Sequence, residues 1–238
     1  MVKILDCTTR DGGHNTNWEF SDQFVLNLIN DLNAQKCSYY EIGYRNHFDN
    51  DNKGRFYNCF PELLKKFYKN KGNLKIGVMT DTKRFSYDDF FTANNDYLDF
   101  VRIACHPDKI EETLNIAYEL HLRGYKIFVQ LMDISNVEEE GYFALLSWQH
   151  KDILESLYFA DSYGTLFPQD VEKYYNKLKM LGYEKISFHG HNNIQKALEN
   201  SLKAIELGAY SVDVTLNGIG RCGGNLDSAE LFRHIELK

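Results

Sequence analysis

Apolar residues recur along the chain in short β-prone runs separated by stretches of helical spacing. Eight such runs stand out: Val2–Asp6, Ser38–Ile42, Leu74–Met79, Phe100–Ala104, Lys126–Leu131, Leu157–Ala160, Lys185–Phe188 and Ser211–Leu216. Several are almost continuously apolar, as strands buried on both faces are. Between them, residues 22–34 align Phe24, Leu28 and Leu32, residues 109–122 align Ile110, Leu114, Ala117 and Leu120, and residues 194–207 align Ile194, Ala197, Leu198, Leu202 and Ile205. Spacings of three and four put each set on one helix face. Gly124, Gly182 and Gly208 each end a helical stretch just before a strand, where a residue tolerant of positive φ is needed. Eight strand–helix units predict an α/β protein of the TIM (β/α)8 barrel type, one catalytic barrel over residues 1–238, with a short last helix from Ser228 to about Glu236. An extension beyond Lys238 stays open. The alternative is an open doubly wound sheet, prompted by Gly218, Gly220, Gly223 and Gly224. That cluster follows the eighth run, whereas a dinucleotide fingerprint belongs in the first turn of a βαβ half.

In a barrel, polar residues at the C-terminal ends of strands are the candidates for chemistry. The first run leads into Asp6-Cys7-Thr8-Thr9-Arg10-Asp11-Gly12-Gly13-His14, the seventh into His189-Gly190-His191-Asn192-Asn193, and the eighth into Asn217-Gly218-Ile219-Gly220-Arg221-Cys222-Gly223-Gly224-Asn225. Closure makes strands one, seven and eight neighbours, so these segments meet. His189 and His191, two apart in an extended segment, point the same way. An imidazole pair is half of a divalent-metal site, Asp11 would complete a facial triad, and Asn225 could add an amide oxygen. The alternative is a polar histidine pair lining the mouth. Arg10, beside a Gly-Gly turn, suits a carboxylate or developing oxyanion, or else a plain salt bridge. His14 can exchange protons near neutrality, or can cap its loop or face solvent. Glu41, at the end of the second run, would face the cavity or pair with Arg10. Arg102 is placed either near substrate or between carboxylates. His106, Asp133, Asp161-Ser162 and Thr215 are candidate substrate contacts around the mouth, and the long irregular segment from Arg45 to Cys59 is expected to shape the pocket.

Composition narrows the chemistry. With 238 residues, 27 Lys+Arg against 34 Asp+Glu and a net charge of −7, the chain is not built like a duplex binder. No apolar run approaches the roughly 20 residues of a membrane span, and the acidic start is no signal peptide. Five widely spaced cysteines without a CxxC pair fit reduced thiols and a cytoplasmic protein. Lys126 and Lys185 stand at strand starts, the wrong end for a Schiff-base aldolase, so carbonyl chemistry here needs a metal as electrophile. No G-x-S-x-G elbow or Walker-type loop is present.

The segments LDCTTRDGG, HGHNN and DVTLNGIGRCGGN resemble the signatures of the DRE-TIM metallolyase superfamily, the HMG-CoA lyase-like group, and most closely its 4-hydroxy-2-oxovalerate aldolase type. The resemblance spans the whole chain. It implies that Asp11, His189, His191 and Asn225 hold one divalent cation, with Mn2+ the expected ion and Mg2+, Co2+ or Zn2+ compatible. It implies that Arg10 stabilises the enolate of a pyruvate-like species, with Glu41 in the same network, and that His14 removes the proton of the substrate's 4-hydroxyl. His106, in RIACHPD, matches the aldolase segment after strand four. The expected reaction is cleavage or formation of a C–C bond in a 4-hydroxy-2-oxo acid, giving pyruvate and an aldehyde. Rival readings are an acyl-CoA-dependent Claisen-type synthase or lyase, and a barrel of a larger assembly acting on a sugar-derived or carrier-linked substrate. Thr9 stands where the group usually has an aliphatic residue. Cys222 sits at the spacing of the lyase's catalytic cysteine, but Gly223 replaces the proline that follows it there. Aldolases of this type use a C-terminal region to supply a tyrosine and dock an aldehyde dehydrogenase. The chain stops short of it, so that partner is not expected. The expected partner is a small 2-oxo acid, with no nucleic acid or membrane, and a homodimer is compatible.

Overall fold

A computed structural model describes residues 2–47 and 52–235. The eight strands are β1 (Lys3–Asp6), β2 (Tyr39–Tyr44), β3 (Lys75–Asp81), β4 (Phe100–Cys105), β5 (Lys126–Leu131), β6 (Leu154–Asp161), β7 (Ile186–Gly190) and β8 (Ser211–Val214). The α-helices are α1 (Thr8–Asp11), α2 (Gly13–Thr16), α3 (Asp22–Ala34), α4 (Pro61–Tyr68), α5 (Ala93–Asp96), α6 (Ile110–Leu122), α7 (Glu139–Ser147), α8 (Pro168–Met180), α9 (Ala197–Glu206) and α10 (Ser228–Phe232). Each strand pairs in parallel with the next, and β8 pairs with β1, so the sheet closes. That closure excludes the open doubly wound alternative and establishes the (β/α)8 barrel.

The apolar runs form strands because each has two faces to bury. Outward residues such as Ile4, Ile42, Val101, Val129 and Leu157 join the helices in one large core. Inward residues Leu5, Cys7, Tyr39, Phe100, Phe128 and Tyr158 form a second, smaller core inside the barrel. Tyr39, Phe100 and Phe128 meet there edge to face, with ring centroids 5.1–5.6 Å apart. The next inward layer is ionic: Arg102 of β4 is fully buried between Glu41 of β2 and Asp213 of β8. This interior closes the middle of the barrel and leaves chemistry to the ends.

Differences from the sequence reading lie at element ends. β6 starts at Leu154 rather than Leu157, because its polar Glu155 and Ser156 find partners in Tyr39, Tyr210 and Ser187. β8 stops at Val214, ahead of a left-handed Asn217 (φ 54°). The helix expected over 194–207 begins only at Ala197, after a left-handed Gln195 (φ 61°). The last helix spans Ser228–Phe232; its expected end at Glu236 lies outside the described residues. The segment from Arg45 to Cys59 is stapled down where it is described. Arg45 is buried, donates to the Cys59 carbonyl (2.9 Å) and pairs with Asp96 (2.8 Å), while Gly43 leaves no room for a Cβ beneath the Phe56 carbonyl. Among the described residues, no helix is long and apolar enough to cross a membrane.

Candidate metal centre

The turn after β1 is held from three sides. Asp6 accepts from the Thr8 amide (2.9 Å) and hydroxyl (2.8 Å). The Thr9 hydroxyl donates to the Ile42 carbonyl (2.7 Å) and meets the Tyr40 hydroxyl (2.7 Å), so the departure from an aliphatic residue carries its own buried partners. The Trp18 indole donates to the Arg10 carbonyl (2.9 Å). Arg10 and Asp11 are thereby fixed at the mouth. Arg10 donates through Nε to Glu41 (2.5 Å) and through Nη1 to Asp11 (2.6 Å), which leaves its buried Nη2 without a partner.

His189 and His191 arrive from the end of β7, and their outer nitrogens are occupied. Nδ1 of His189 donates to Asp213 (2.8 Å), and Nδ1 of His191 to the Gly224 carbonyl (3.2 Å). These partners assign the tautomers and turn both Nε2 lone pairs inward, 3.4 Å apart. Two ligands each about 2.1 Å from one cation stand roughly 3.0–3.4 Å apart. The donor atoms of Asp11, His189 and His191 all lie within 4.8 Å of one another. Asn225 donates to Asp11 (2.5 Å) and to the Ile219 carbonyl (3.0 Å), while its buried Oδ1 has no partner among the described residues. A Cβ on Gly220 would sit 2.1 Å from Asn225 Nδ2 and 2.8 Å from Asp11 Oδ2, so only glycine lets these two meet.

Charge states match a cation site. Burial opposes ionisation of Asp11, but Arg10, His191, His189 and the Asn225 amide together hold its carboxyl well below the usual range. Burial, then His189, pushes His191 down to about 3, so it is a neutral ligand. Together with the orphaned Asn225 oxygen, one carboxylate and two imidazoles fit a divalent ion of the manganese, zinc or magnesium kind. A second trio, Cys7, His189 and Asp213, is also close. It fits poorly: burial holds the Cys7 thiol protonated, and Asp213 Oδ2 already serves Arg102 and His189.

The other sequence candidates divide. Glu41 grips Arg10 as expected. Arg102 takes the second of its expected places, between carboxylates: it donates twice to Glu41 (2.6 Å each) and once to Asp213 (2.5 Å). Ser162 accepts from the Asp133 amide (2.8 Å), and Asp133 accepts from Asn136 (2.8 Å) and Tyr163 (3.0 Å), so the pair ties two rim loops together. Thr215 is buried with its hydroxyl unpartnered. His106 is half-buried and bonds to none of the cluster residues. Cys222 is exposed in a left-handed turn (φ 54°). His14 stands at the rim, its Nε2 3.4 Å from the Tyr44 hydroxyl and its ring 4.7 Å from that of Trp18. Burial, then Arg10, Arg221 and Arg84, lowers it to about 4 despite Asp11. Sequence reasoning missed Tyr44, Trp18 and Arg84, and gave Arg221 no role. Arg221 Nε donates to His191 Nε2 (3.3 Å), the lone pair an ion would take, and the Arg84 guanidinium lies 5.4 Å from the Tyr44 ring. Only Arg221 had a signal, its place inside the glycine-rich segment.

The HMGL-like family profile matches residues 108–238, more than half of the chain. The chain belongs to the HMGL-like family. The superfamily resemblance read from the sequence therefore holds, as does the reading of an enzyme of the lyase and aldolase type, and the cluster is a possible site for the divalent metal that members of the family use. This HMGL-like barrel is 29% identical over 235 residues to an oxaloacetate decarboxylase of Mycobacterium tuberculosis, covering 93% of the chain and 66% of that protein. It is 27% identical over 237 residues to a 4-hydroxy-2-oxovalerate aldolase of Geobacillus genomosp. 3, covering 97% and 69%. It thus spans about two thirds of the length of these curated relatives. Among solved structures it superposes with TM-score 0.88 and 30% identity on the N-terminal domain of a Bacteroides vulgatus protein assigned as an aldolase, covering 98% of this chain and 79% of that one.

Proposed function

We propose that this barrel cleaves or forms a C–C bond in a 4-hydroxy-2-oxo acid, giving pyruvate and an aldehyde. The observation that carries the reading is the buried, unpartnered Arg10 Nη2 beside the Asp11–His189–His191 cluster, with a neutral imidazole, His14, at the rim. Asp11, His189 and His191, with Asn225 Oδ1, would hold the ion, for which Mn2+ is our choice. When bound, that ion supplies Lewis acidity toward the carboxylate and keto oxygens of a 2-oxo acid. Arg10 contributes a fixed donor where negative charge grows on the keto oxygen, and Glu41 and Asp11 keep it from swinging away. His14 has a free lone pair at neutral pH and takes the proton of the 4-hydroxyl as the adjacent C–C bond breaks. In the reverse direction it returns that proton. Thr215, buried with an unpartnered hydroxyl, and the Asp133–Ser162 rim would face the substrate.

Decarboxylation of an oxaloacetate-like substrate is the second reading, supported by the similarity to the mycobacterial decarboxylase. Loss of CO2 needs the electron sink but no base, whereas aldol cleavage needs both. The test is pyruvate release followed with coupled lactate dehydrogenase, for a series of 4-hydroxy-2-oxo acids and for oxaloacetate, with and without Mn2+. Metal-dependent pyruvate release from a hydroxy-oxo acid that His14→Ala abolishes is the expected result. Pyruvate from oxaloacetate alone, unaffected by His14→Ala, selects decarboxylation. No pyruvate from either, with thiol released from an acyl-CoA, overturns both.

A further inference from the structure

The end of the barrel opposite the metal cluster carries a charge pattern with no part in this chemistry. β1, β3 and β5 each open on a lysine, Lys3, Lys75 and Lys126, and Lys185 immediately precedes β7. Alternate strands of an eight-stranded barrel contribute to one layer, so these four ammonium groups converge on one mouth. Lys3, Lys75 and Lys126, joined by Lys36, line a cavity of about 370 Å3 whose wall contains no carboxylate. Of its other polar lining groups, Ser38 and Asn73 offer side-chain donors to an anion, whereas Asn33 donates to the Ile29 (2.8 Å) and Lys71 (2.9 Å) carbonyls and Tyr39 to Glu155 (2.7 Å). This is an unusual concentration of cations in a chain of net charge −7.

The carboxylates that touch these lysines are already shared. Glu155 accepts from Tyr39 (2.7 Å), Tyr210 and Lys126 (3.1 Å), and lies 3.6 Å from Lys3. Asp99 is bound by Lys71 (2.7 Å) and stands 3.9 Å from Lys75. Lys36 makes no salt bridge among the described residues. Burial, with Lys126 and Lys185 nearby, pulls the Lys3 ammonium below its ordinary range despite Glu155.

Lys36 supplies a second, independent observation. It occupies the left-handed position (φ 58°) just past α3. After α6, α8 and α9 the comparable turns are made by Gly124, Gly182 and Gly208, at φ 91°, 88° and 91°. A helix end selects glycine there because a Cβ is strained in that conformation. The Lys36 side chain is one of the cavity's walls.

We infer that this mouth binds the phosphate group of a small ligand. Lysine presents a compact point charge that binds phosphate, and a compact phosphate group has oxygens enough to meet several ammonium groups at once. The test is a titration of the Mg2+-loaded full chain with inorganic phosphate, followed by amide NMR shifts. Saturable shifts are expected at Lys36, Ser38 and Asn73. Lys36→Gly should weaken binding at least tenfold while leaving the thermal midpoint unchanged or raised, and Lys3→Gln should weaken it without altering Mg2+ affinity. Succinate, of similar charge, should bind at least tenfold more weakly than phosphate. Shifts confined to the metal end, equal phosphate affinity in Lys36→Gly, or succinate binding as tightly as phosphate would each overturn the assignment.

Discussion

Asp213 illustrates how much one side chain decides. A single oxygen accepts from His189 Nδ1 (2.8 Å) and Arg102 Nη1 (2.5 Å), joining the histidine that faces the ion to the ionic layer below. Asp213→Asn replaces a charge acceptor with an amide and frees the His189 tautomer. We expect affinity for Mn2+ to fall about 10- to 100-fold, read by calorimetry; unchanged affinity would mean that Asp213 serves the interior alone. Arg10 is fixed by two carboxylates and still keeps one donor unspent. Removing such a donor costs about 3–4 kcal/mol, so Arg10→Met should lower kcat at least about a hundredfold at saturating metal. His14 gives a signature in pH. Its pKa is depressed to about 4, so the imidazole stays neutral from pH 8 down to near 4. The pH profile of kcat/KM should therefore show no His14 inflection between pH 6 and 7. An inflection there that vanishes in His14→Ala would contradict its environment as described.

At the scale of elements, the strands were legible because both faces of a barrel strand are buried, which writes an apolar run into the chain. Their ends were harder to read. β6 opens on Glu155 and Ser156, whose partners Tyr39, Ser187 and Tyr210 lie on other strands, so no local pattern marks them. The metal cluster was legible for a similar reason: the histidine pair is two residues apart, and strand order alone brings Asp11 beside it. Arg102 was left between substrate and carboxylates because its partner Asp213 is 111 residues away. Tyr44 escaped notice because the register of β2 against β3 shifts between Glu41 and Gly43, which re-aims the strand's last residue. The glycine-rich loop after β8 has a use that motif spacing alone did not reveal. Gly220 lets Asn225 reach Asp11, so Gly220→Ala should leave the far-ultraviolet spectrum intact while metal affinity drops by an order of magnitude or more, because Asn225 and Asp11 must part. Retained affinity would show that the loop gives way instead.

At the scale of the whole molecule, the buried carboxylates pull stability in two directions, and the windows separate. Asp11 and Asp213 are held below their usual range, where burial is outweighed chiefly by Arg10 and Arg102 respectively. Their contribution is present above about pH 4 and disappears as acid protonates them. Asp6 behaves oppositely. Burial raises it from 3.8 to about 7, against the two bonds from Thr8 and with Asp213 and Glu41 adding repulsion. A raised folded-state pKa favours the fold fully below about pH 4, and that advantage is lost as pH climbs through about 7. A shift of this size corresponds to a ceiling of about 4 kcal/mol. Between pH 4 and 7 the thermal midpoint should therefore decline as Asp6 is driven to ionise inside the barrel. Asp6→Asn, which keeps an acceptor for Thr8 without a charge, should flatten that slope, so that the variant overtakes the parent above pH 7. Measured on chelator-treated protein, two midpoint curves that stay parallel from pH 4 to 8 would show that Asp6 is not the group that sets the alkaline side.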